Sequence, residues 1–203
     1  MWPRRRLLGV ASGDRPEEYP ALDMSFADRG ARFRDSIDYI RAVAGSYPQA
    51  RTAHGTLSGG IDMLPKPVGG QLPLLITGAS QQSPDWLARH GDGWMTYPRP
   101  IAQQRQVTEA YRAGTRAAGV SDKPVMQSLY VDLVDDPAAP ARPIHLGFRS
   151  GIDALRDYLV ALEEIGVNHV ALNLRFNGAE IEQTLRQLAD GLLPRFNTKD
   201  EQR

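Results

Sequence analysis

The feature that most constrains the fold of this chain is an alternation of short apolar runs with longer stretches of helical periodicity. Residues 7–11 and 74–77 are apolar runs of strand length that end at small or polar residues, and residues 125–133 alternate in a strand pattern. Between such runs, as at residues 30–44, apolar side chains recur every three or four positions. Strands that alternate with helices indicate parallel pairing through right-handed crossover connections.

About five strand and helix units follow one another in this way. The strands are apolar on both faces and end in small or polar residues, which is typical of a (β/α) barrel. A complete barrel has eight units and usually about 250 residues, so the 203 residues here predict an α/β fold, an incomplete (β/α)8 TIM barrel of about five βα units. The predicted strands are 7–11, 74–77, 94–97, 125–133 and 170–174, and the predicted helices are 30–44, 84–89, 101–118, the stretch marked by Leu155, Leu159 and Leu162, and the stretch marked by Ile181, Leu185, Leu188 and Leu192.

The connections differ in length and composition. Residues 45–72 are rich in Gly and Pro and predict a long irregular excursion with one hairpin, and residues 135–143 predict a Pro-rich link. Gly166 is expected to end its helix in a left-handed cap, and Pro194 is expected to end the last helix. We predict one partial barrel domain over residues 1–197 and a disordered polar tail over 198–203.

Charge and composition exclude several classes of function. Lys plus Arg and Asp plus Glu both number 24, so no net field attracts nucleic acid or an anionic membrane. No apolar run approaches the roughly 20 residues that span a bilayer. The absence of cysteine excludes disulfides and thiolate chemistry and agrees with a cytoplasmic location. His54, His90, His145 and His169 show no metal-ligand spacing, and we expect no metal site.

The segment after the second predicted strand carries the clearest sign of a binding site. Gly78, Ala79 and Ser80 end the strand with small side chains, which lets their backbone N–H groups approach a ligand. Ser83 suits the N-cap of the next helix and Pro84 its first position. Exposed amides at a helix start favour an anion, most plausibly a phosphate. The alternative is an ordinary helix start in which Asp85 satisfies the helix dipole.

Several stretches of the sequence resemble the luciferase-like monooxygenase family of flavin-dependent barrel enzymes. "RLLGVASGDRPEEYPALDMSFADRGARFRDSIDYIRA" resembles that family's fourth strand, its loop and its helix, and "PLLITGASQQSPDWLARHGDGW" resembles the fifth strand and phosphate loop. The likeness continues through "KPVMQSLYVDL" and "IGVNHVALNLRF". Three further units precede the fourth strand in that family, so the resemblance implies the C-terminal five-eighths of such an enzyme.

The resemblance implies a cofactor and the residues that hold it. Reduced FMN, or alternatively a deazaflavin, would place its phosphate on the fifth-strand loop, and the loop after the fourth strand would face the same cavity. Asp14 and Arg15 in that second loop are further candidates, although a surface ion pair is an equal alternative for them. The cofactor-binding residues implied are Gly78, Ala79, Ser80, Ser83, Ser12 and Gly13, and no catalytic acid or base can be named.

The function implied is a flavin-dependent monooxygenase or related oxidoreductase that uses dioxygen on a small organic substrate. A non-catalytic flavin-binding protein, or an inactive fragment of such an enzyme, is the alternative. Because an open parallel sheet exposes two edges and an apolar face, we also expect a homodimer or a poorly soluble product.

Some polar and aromatic residues have weaker claims to a site. Asp132, Asp135 and Asp136 follow the fourth predicted strand, and Asn173 and Arg175 follow the last, where barrel side chains face a ligand. Adjacent acids at a loop start are, however, usually just solvated. His145 is expected at the surface, His169 in the core or at a sheet edge, and Trp86 and Trp94 in the core.

Overall fold

The computed structural model describes residues 7–53, 55–67, 69–120 and 122–196. The chain forms two compact units, one of Met1–Met95 with Ala110–Lys123 and the other of Thr96–Glu109 with Pro124–Arg203. The elements are β1 (Leu8–Val10), α1 (Arg29–Ala44), β2 (Gln49–Thr52), β3 (Gly55–Ser58), β4 (Leu74–Thr77), α2 (Pro84–His90), β5 (Gly93–Thr96), α3 (Ile101–Ala117), β6 (Val125–Leu133), β7 (Arg142–Ile144), β8 (Gly147–Ser150), α4 (Ile152–Glu164), β9 (His169–Asn173) and α5 (Ile181–Phe196).

The first unit is built on parallel strands. β4 pairs with β1 on one side, with Leu8 opposite Leu74, and with β5 on the other, with Leu75 opposite Gly93. β4 is buried because both of its faces are covered, which explains why the sequence Leu-Leu-Ile shows no polar alternation. β2 and β3 form the expected hairpin in the long connection between α1 and β4.

Two cations fix the ends of elements in the first unit. Arg41 of α1 donates to Asp92 Oδ2 at 2.5 Å, and the same carboxylate oxygen accepts from the Leu74 amide at 2.8 Å, so the start of β4 is tied to α1. Lys123 Nζ donates to the carbonyl oxygens of Ala88 at 2.6 Å and Gly91 at 2.7 Å, at the C-terminal end of α2. Burial lowers the pKa of Lys123.

The second unit is centred on β6. β9 and β8 flank β6, both parallel to it, and β7 pairs antiparallel with β8. Alternate residues of β6 are buried from Val125 to Leu133, while those between them are half-buried. Buried apolar side chains of the helices, among them Leu155, Leu162 and Leu192, belong to the core of the same unit.

The structure corrects the sequence prediction at two places. The segment predicted as a Pro-rich link followed by loop contains the hairpin of β7 and β8, which forms because β6 offers a strand edge to β8. The last helix does not end at Pro194 but continues to Phe196. A proline in the final turn removes one N–H bond without forcing the chain out of the helix. Gly166 has the left-handed φ of 85° expected after α4.

The described helices include none that is both long and apolar enough to cross a bilayer. The predicted single domain over residues 1–197 stays a prediction, and residues 198–203 lie outside the described part of the chain.

Gly147 gives a test of the register between β6 and β8. A Cβ at this position would overlap the carbonyl oxygen of Tyr130, so we expect Gly147→Ala to lower the free energy of unfolding by about 2–3 kcal/mol. Urea denaturation measures this loss. Gly9→Ala in β1 is the matched control, because a Cβ there meets no atom within 4 Å, and equal stability of the two variants would contradict the described register.

Candidate functional site

The loop between β4 and α2, residues 78–83, begins at an anchored glycine. The Gly78 amide donates to the Met95 carbonyl at 2.8 Å, and Trp94 Nε1 donates to the Gly78 carbonyl at 2.9 Å. Gly78, Ser80 and Gln81 all have positive φ, at 62°, 46° and 61°. Left-handed backbone is unfavourable for a serine or glutamine, so tertiary contacts must hold this turn.

Ser80 supplies the main tertiary contact of the loop. Its hydroxyl donates to the Thr77 carbonyl at 2.8 Å and accepts from the Ser12 amide at 3.3 Å. Its side chain is only 8% exposed. The hydroxyl therefore joins the loop after β4 to the loop after β1, and its hydrogen is already used inside the protein.

Ser83 is the N-cap of α2, as its position before Pro84 predicted. Its Oγ accepts from the Trp86 amide at 3.2 Å. The residue is exposed, and in the described part of the chain its hydroxyl hydrogen has no acceptor. Ser83 can thus cap the helix and donate to an external anion at the same time.

Three consecutive backbone amides of the loop are left for a ligand. Gln82 donates to the Ala79 carbonyl at 2.8 Å and closes the turn. Within the described residues, the amides of Ala79, Ser80 and Gln81 donate to no protein acceptor. Ala79 and Gln81 are exposed at the surface. Successive unpaired N–H groups in a turn form a concave site for an anion.

The start of α1 packs against the same loop. Gln82 Nε2 donates to the Gly30 carbonyl at 2.9 Å, and Gln82 Oε1 accepts from Arg34 at 2.9 Å. A Cβ on Gly30 would lie 2.7 Å from the Cβ of Gln81, so only glycine allows this approach. A guanidinium and the positive end of a 16-residue helix therefore lie beside the loop.

Tyr19 holds the loop after β1. Its hydroxyl donates to the Ser12 carbonyl, and a Cβ on Gly13, whose φ is 82°, would lie 2.7 Å from that hydroxyl oxygen. The Tyr19 ring contacts Phe26 at 5.1 Å, and Arg29 lies 3.7 Å from the Phe26 centroid. Tyr19, Phe26 and Arg29 belong to the stretch that resembles the family's fourth strand, loop and helix, and they support the fold of this loop.

Arg15 forms a surface ion pair, with Glu18 at 3.0 Å, and its side chain is 70% exposed. The hydrogen bond to Glu18 raises the pKa of Arg15. Asp14 is exposed and forms no ion pair within the described residues. The sequence left a surface ion pair and a site role open for Asp14 and Arg15. The structure shows a surface ion pair for Arg15, but its partner is Glu18 and not Asp14.

The two tryptophans and His90 pack against neighbouring side chains of the fold. Trp94 is buried and contacts Tyr111 at 5.2 Å, and burial raises the pKa of Tyr111 to about 12. Trp86 is half-buried and stacks on His90 at 4.4 Å. Burial lowers the pKa of His90.

His169 begins β9 and is exposed. Among the described residues, no group of three or more His, Cys, Asp or Glu side chains could hold a metal ion. His54 lies outside the described residues.

A cavity of about 690 Å³ lies elsewhere, in the second unit. Its lining comes from the C-terminal ends of α4 and α5 and from the start of β9. The loops that follow the strands lie at the opposite ends of those strands, so this cavity is not the site indicated by the sequence.

Sequence reasoning missed Gln81, Gln82, Gly30 and Tyr19 as parts of the site. No local pattern marks Ser80 and Gln81 as left-handed, because Gly, Asn and Asp are the usual residues there. The contact between Gln82 and α1 joins positions 52 residues apart, and periodicity carries no signal for such a contact.

Parallel strands followed by helices, with a loop of small residues whose amides are unpaired beyond a strand end, define a βα fold of the barrel type. The sequence profile of the luciferase-like monooxygenase family matches residues 3–195, and the chain belongs to that family. A segment of 119 residues, 58% of this chain, is 28% identical to an F420-dependent hydroxymycolic acid dehydrogenase of Mycobacterium tuberculosis. That segment spans only 32% of the length of the relative.

Two solved structures share the fold of this chain. An F420-dependent secondary alcohol dehydrogenase, in complex with an F420-acetone adduct, has a TM-score of 0.74 and 14% identity over 94% of this chain and 70% of its own. The monooxygenase RslO1 from Streptomyces bottropensis has a TM-score of 0.70 and 18% identity over 92% of this chain and 67% of its own. The predicted fold class, an incomplete TIM barrel, is confirmed.

Ser80 gives a test of how the loop is held. Ser80→Ala removes the hydroxyl that bonds to the Thr77 carbonyl and the Ser12 amide, so we expect a loss of about 1–2 kcal/mol in the free energy of unfolding. Chemical denaturation measures the loss. Ser46→Ala, at an exposed position, is the control and is expected to change stability by less than about 0.5 kcal/mol. A loss no larger in Ser80→Ala than in this control would show that the hydroxyl does not hold the loop.

Proposed function

We propose that the chain is a flavin- or deazaflavin-dependent oxidoreductase of the luciferase-like class, and that residues 78–83 bind the phosphate of the cofactor. The observation that carries the proposal is the row of unpaired amides at Ala79, Ser80 and Gln81. Phosphate oxygens only accept hydrogen bonds, and backbone N–H groups only donate them, so the loop and the group are complementary.

The surroundings of the loop support an anion rather than a neutral ligand. Arg34 contacts Gln82 within the loop, and α1 begins against it at Gly30. A phosphate there gains from the charge of the guanidinium and from the helix dipole. No carboxylate forms a hydrogen bond to residues 78–83 within the described part of the chain.

Each residue of the proposed site has a distinct role. Ala79, Ser80 and Gln81 donate through their amides, and Ser83 donates through its hydroxyl. Ser80 also positions the loop through its side chain, which is bonded to Thr77 and Ser12 and cannot itself donate to the ligand. Ser12 and Gly13 are proposed to border the cofactor, on a loop whose position is fixed by the bonds of Ser12 to Tyr19 and Ser80.

The bound cofactor would supply the redox chemistry, and the protein would hold, orient and shield it. Our first candidate is reduced FMN with dioxygen, acting on a small organic substrate, as in a monooxygenase. A specific observation favours a second candidate, hydride transfer with the deazaflavin F420. Both the curated Mycobacterium tuberculosis relative and the alcohol dehydrogenase structure are F420-dependent by name. The phosphate loop suits either cofactor.

The proposal includes a homodimer that works in the cytoplasm on a small-molecule substrate, without nucleic acid or membrane partners. The cysteine-free composition supports a reducing compartment. Among the described strands, β1 pairs only with β4 and β9 only with β6, so each has a free edge. Leu8 on β1 and Leu185 on α5 are exposed apolar side chains in these regions, and such features favour association.

The phosphate assignment is tested by placing a charge on the exposed Ala79. We expect Ala79→Glu to raise the dissociation constant of FMN by about tenfold or more, because its carboxylate would repel the phosphate at close range. Ala79→Gln, which has the same shape without the charge, is the matched control and should bind FMN nearly as well as the wild-type protein. Fluorescence titration measures both affinities, with F420 titrated in parallel.

Riboflavin separates the phosphate from the ring. It lacks the phosphate, so its affinity should be equal in the Glu and Gln variants. Equal FMN affinity in the two variants, or an equal loss of riboflavin and FMN affinity in Ala79→Glu, would defeat the assignment. Steady consumption of reduced cofactor with substrate supports an oxidoreductase, whereas stoichiometric binding without turnover identifies a flavin carrier.

The dimer is tested by light scattering at micromolar concentration. We expect the wild-type mass to be twice that of the 22.4 kDa chain. Leu185→Glu should shift the mass toward the monomer, because it places a charge on an exposed apolar part of α5. Leu22→Glu, at an equally exposed leucine in the loop after β1, is the control and should stay dimeric. A monomeric wild-type protein would contradict the expectation.

A further inference from the structure

Three aromatic side chains meet in the second unit, and the phosphate site uses none of them. Tyr130 of β6 lies with its ring centroid 4.9 Å from that of Phe176 and 6.0 Å from that of His145. His145 and Phe176 are 6.3 Å apart in an edge-to-face arrangement. We call Tyr130, His145 and Phe176 the aromatic platform. Phe176 is 43% exposed, and His145 is exposed as well.

Backbone bonds place His145 against Tyr130. His145 and Leu146 form the turn between β7 and β8, and the Tyr130 amide donates to the Leu146 carbonyl at 3.1 Å. Leu146 is held at a left-handed φ of 48°. Gly147 follows and lies too close to the Tyr130 carbonyl to carry a side chain. The turn is therefore fixed to β6 by its own main chain.

Separate bonds place Phe176 on the platform. The Leu133 amide donates to Asn177 Oδ1 at 3.0 Å, and the Gly178 amide donates to Asp132 Oδ1 at 2.9 Å. Both bonds join the end of β6 to Asn177 and Gly178, the two loop residues that directly follow Phe176. Phe176 therefore lies on a segment that is held by hydrogen bonds of its neighbours. Its own ring is not needed to hold the loop and stays partly exposed.

The charges around the platform leave one cation unneutralised. Arg149 lies 3.5 Å from Asp132, which balances its charge. Arg175 lies 5.7 Å from the Phe176 ring centroid and pairs with no carboxylate among the described residues. An exposed guanidinium beside exposed aromatic faces suits a ligand that carries both a ring and an anionic group.

The platform also lies where ligands bind in this class of fold. Tyr130 and Asp132 are near the carboxyl end of β6, and Phe176 and Arg175 follow the carboxyl end of β9. Loops at these ends carry the binding residues in βα barrels. The competing explanation is that the three rings only pack one loop on another, in which case they would bind no ligand.

We propose that the aromatic platform binds a planar aromatic substrate with an anionic group, such as an aryl carboxylate, and that Arg175 pairs with the anion. The rings of Tyr130, His145 and Phe176 supply the contact surface. The assignment of this ligand as the substrate rests on the oxidoreductase function proposed above, whereas its binding to the platform does not.

The test uses 2-naphthoate as a probe of the 203-residue chain without flavin, with affinity measured by isothermal titration or ligand-observed NMR. We expect the wild-type protein to bind 2-naphthoate more tightly than cyclohexanecarboxylate, which carries the anion on a saturated, non-aromatic ring. Phe176→Leu keeps an apolar side chain but removes the ring, and should raise the dissociation constant of 2-naphthoate by about three- to tenfold. Phe148→Leu is the matched control, because the Phe148 ring packs on Tyr158 of α4 at 5.0 Å.

Arg175→Gln tests the anion partner. It should weaken binding of 2-naphthoate and leave the affinity of the neutral 2-naphthylmethanol unchanged. The platform assignment is overturned if the wild-type protein fails to bind 2-naphthoate at millimolar concentration. It is equally overturned if Phe176→Leu binds as well as the wild-type protein, or if Phe148→Leu causes the same loss.

A second arm separates this inference from the proposed function. The titration is repeated with FMN at saturating concentration. Binding of 2-naphthoate that persists and still depends on Phe176 supports a substrate platform. Displacement of 2-naphthoate by FMN, together with weaker FMN binding in Phe176→Leu, would show that the platform binds the cofactor ring and would overturn the substrate assignment. Binding of 2-naphthoate without any flavin or deazaflavin binding would defeat the proposed function and leave the platform standing.

Discussion

The buried hydroxyl of Ser80 is the contact on which the candidate cofactor site depends. It spans the Thr77 carbonyl at the end of β4 and the Ser12 amide after β1. Ser80 and Gln81 are both left-handed, a conformation that costs on the order of 1 kcal/mol or more for each non-glycine residue. The hydroxyl bonds and the Gln82 contacts offset this cost. These contacts hold a turn in which the amides of Ala79, Ser80 and Gln81 have no acceptor among the described residues.

Family membership and site geometry answer different questions. The family match covers nearly the whole chain, and the shared fold accounts for the strands and for the loops that follow them. By their names the relatives include two dehydrogenases and a monooxygenase, and the matched segment spans about a third of the curated relative. A loop of backbone amides recognises a phosphate without reading the ring attached to it, so FMN and F420 are both compatible with this turn. Selectivity between them has to come from side chains elsewhere.

Local signals in the sequence predicted most of the regular structure. The bounds of β4 and β6 match the predicted strands, and α2 starts at Pro84 because Ser83 caps it. β7 and β8 were missed because they are only three and four residues long and depend on pairing with β6 and with each other. The predicted end of α5 at Pro194 was wrong, because a proline near a helix end is compatible with continuation of the helix to Phe196.

The sequence by itself determined the alternation of strands and helices, the small residues after β4 and the cap at Ser83, because apolar spacing and capping act between residues that are close in the chain. Only the tertiary structure decided which polar groups form hydrogen bonds within the protein and which remain without a protein partner. The hydroxyl of Ser80 bonds to Thr77 and to Ser12, which lies 68 residues away in the chain, so only the backbone amide of Ser80 is left to donate to a ligand. Bonds between β6 and the loop after β9 place Phe176 in the aromatic platform. Hydrogen-bond partners depend on positions in space, which periodicity along the chain does not encode.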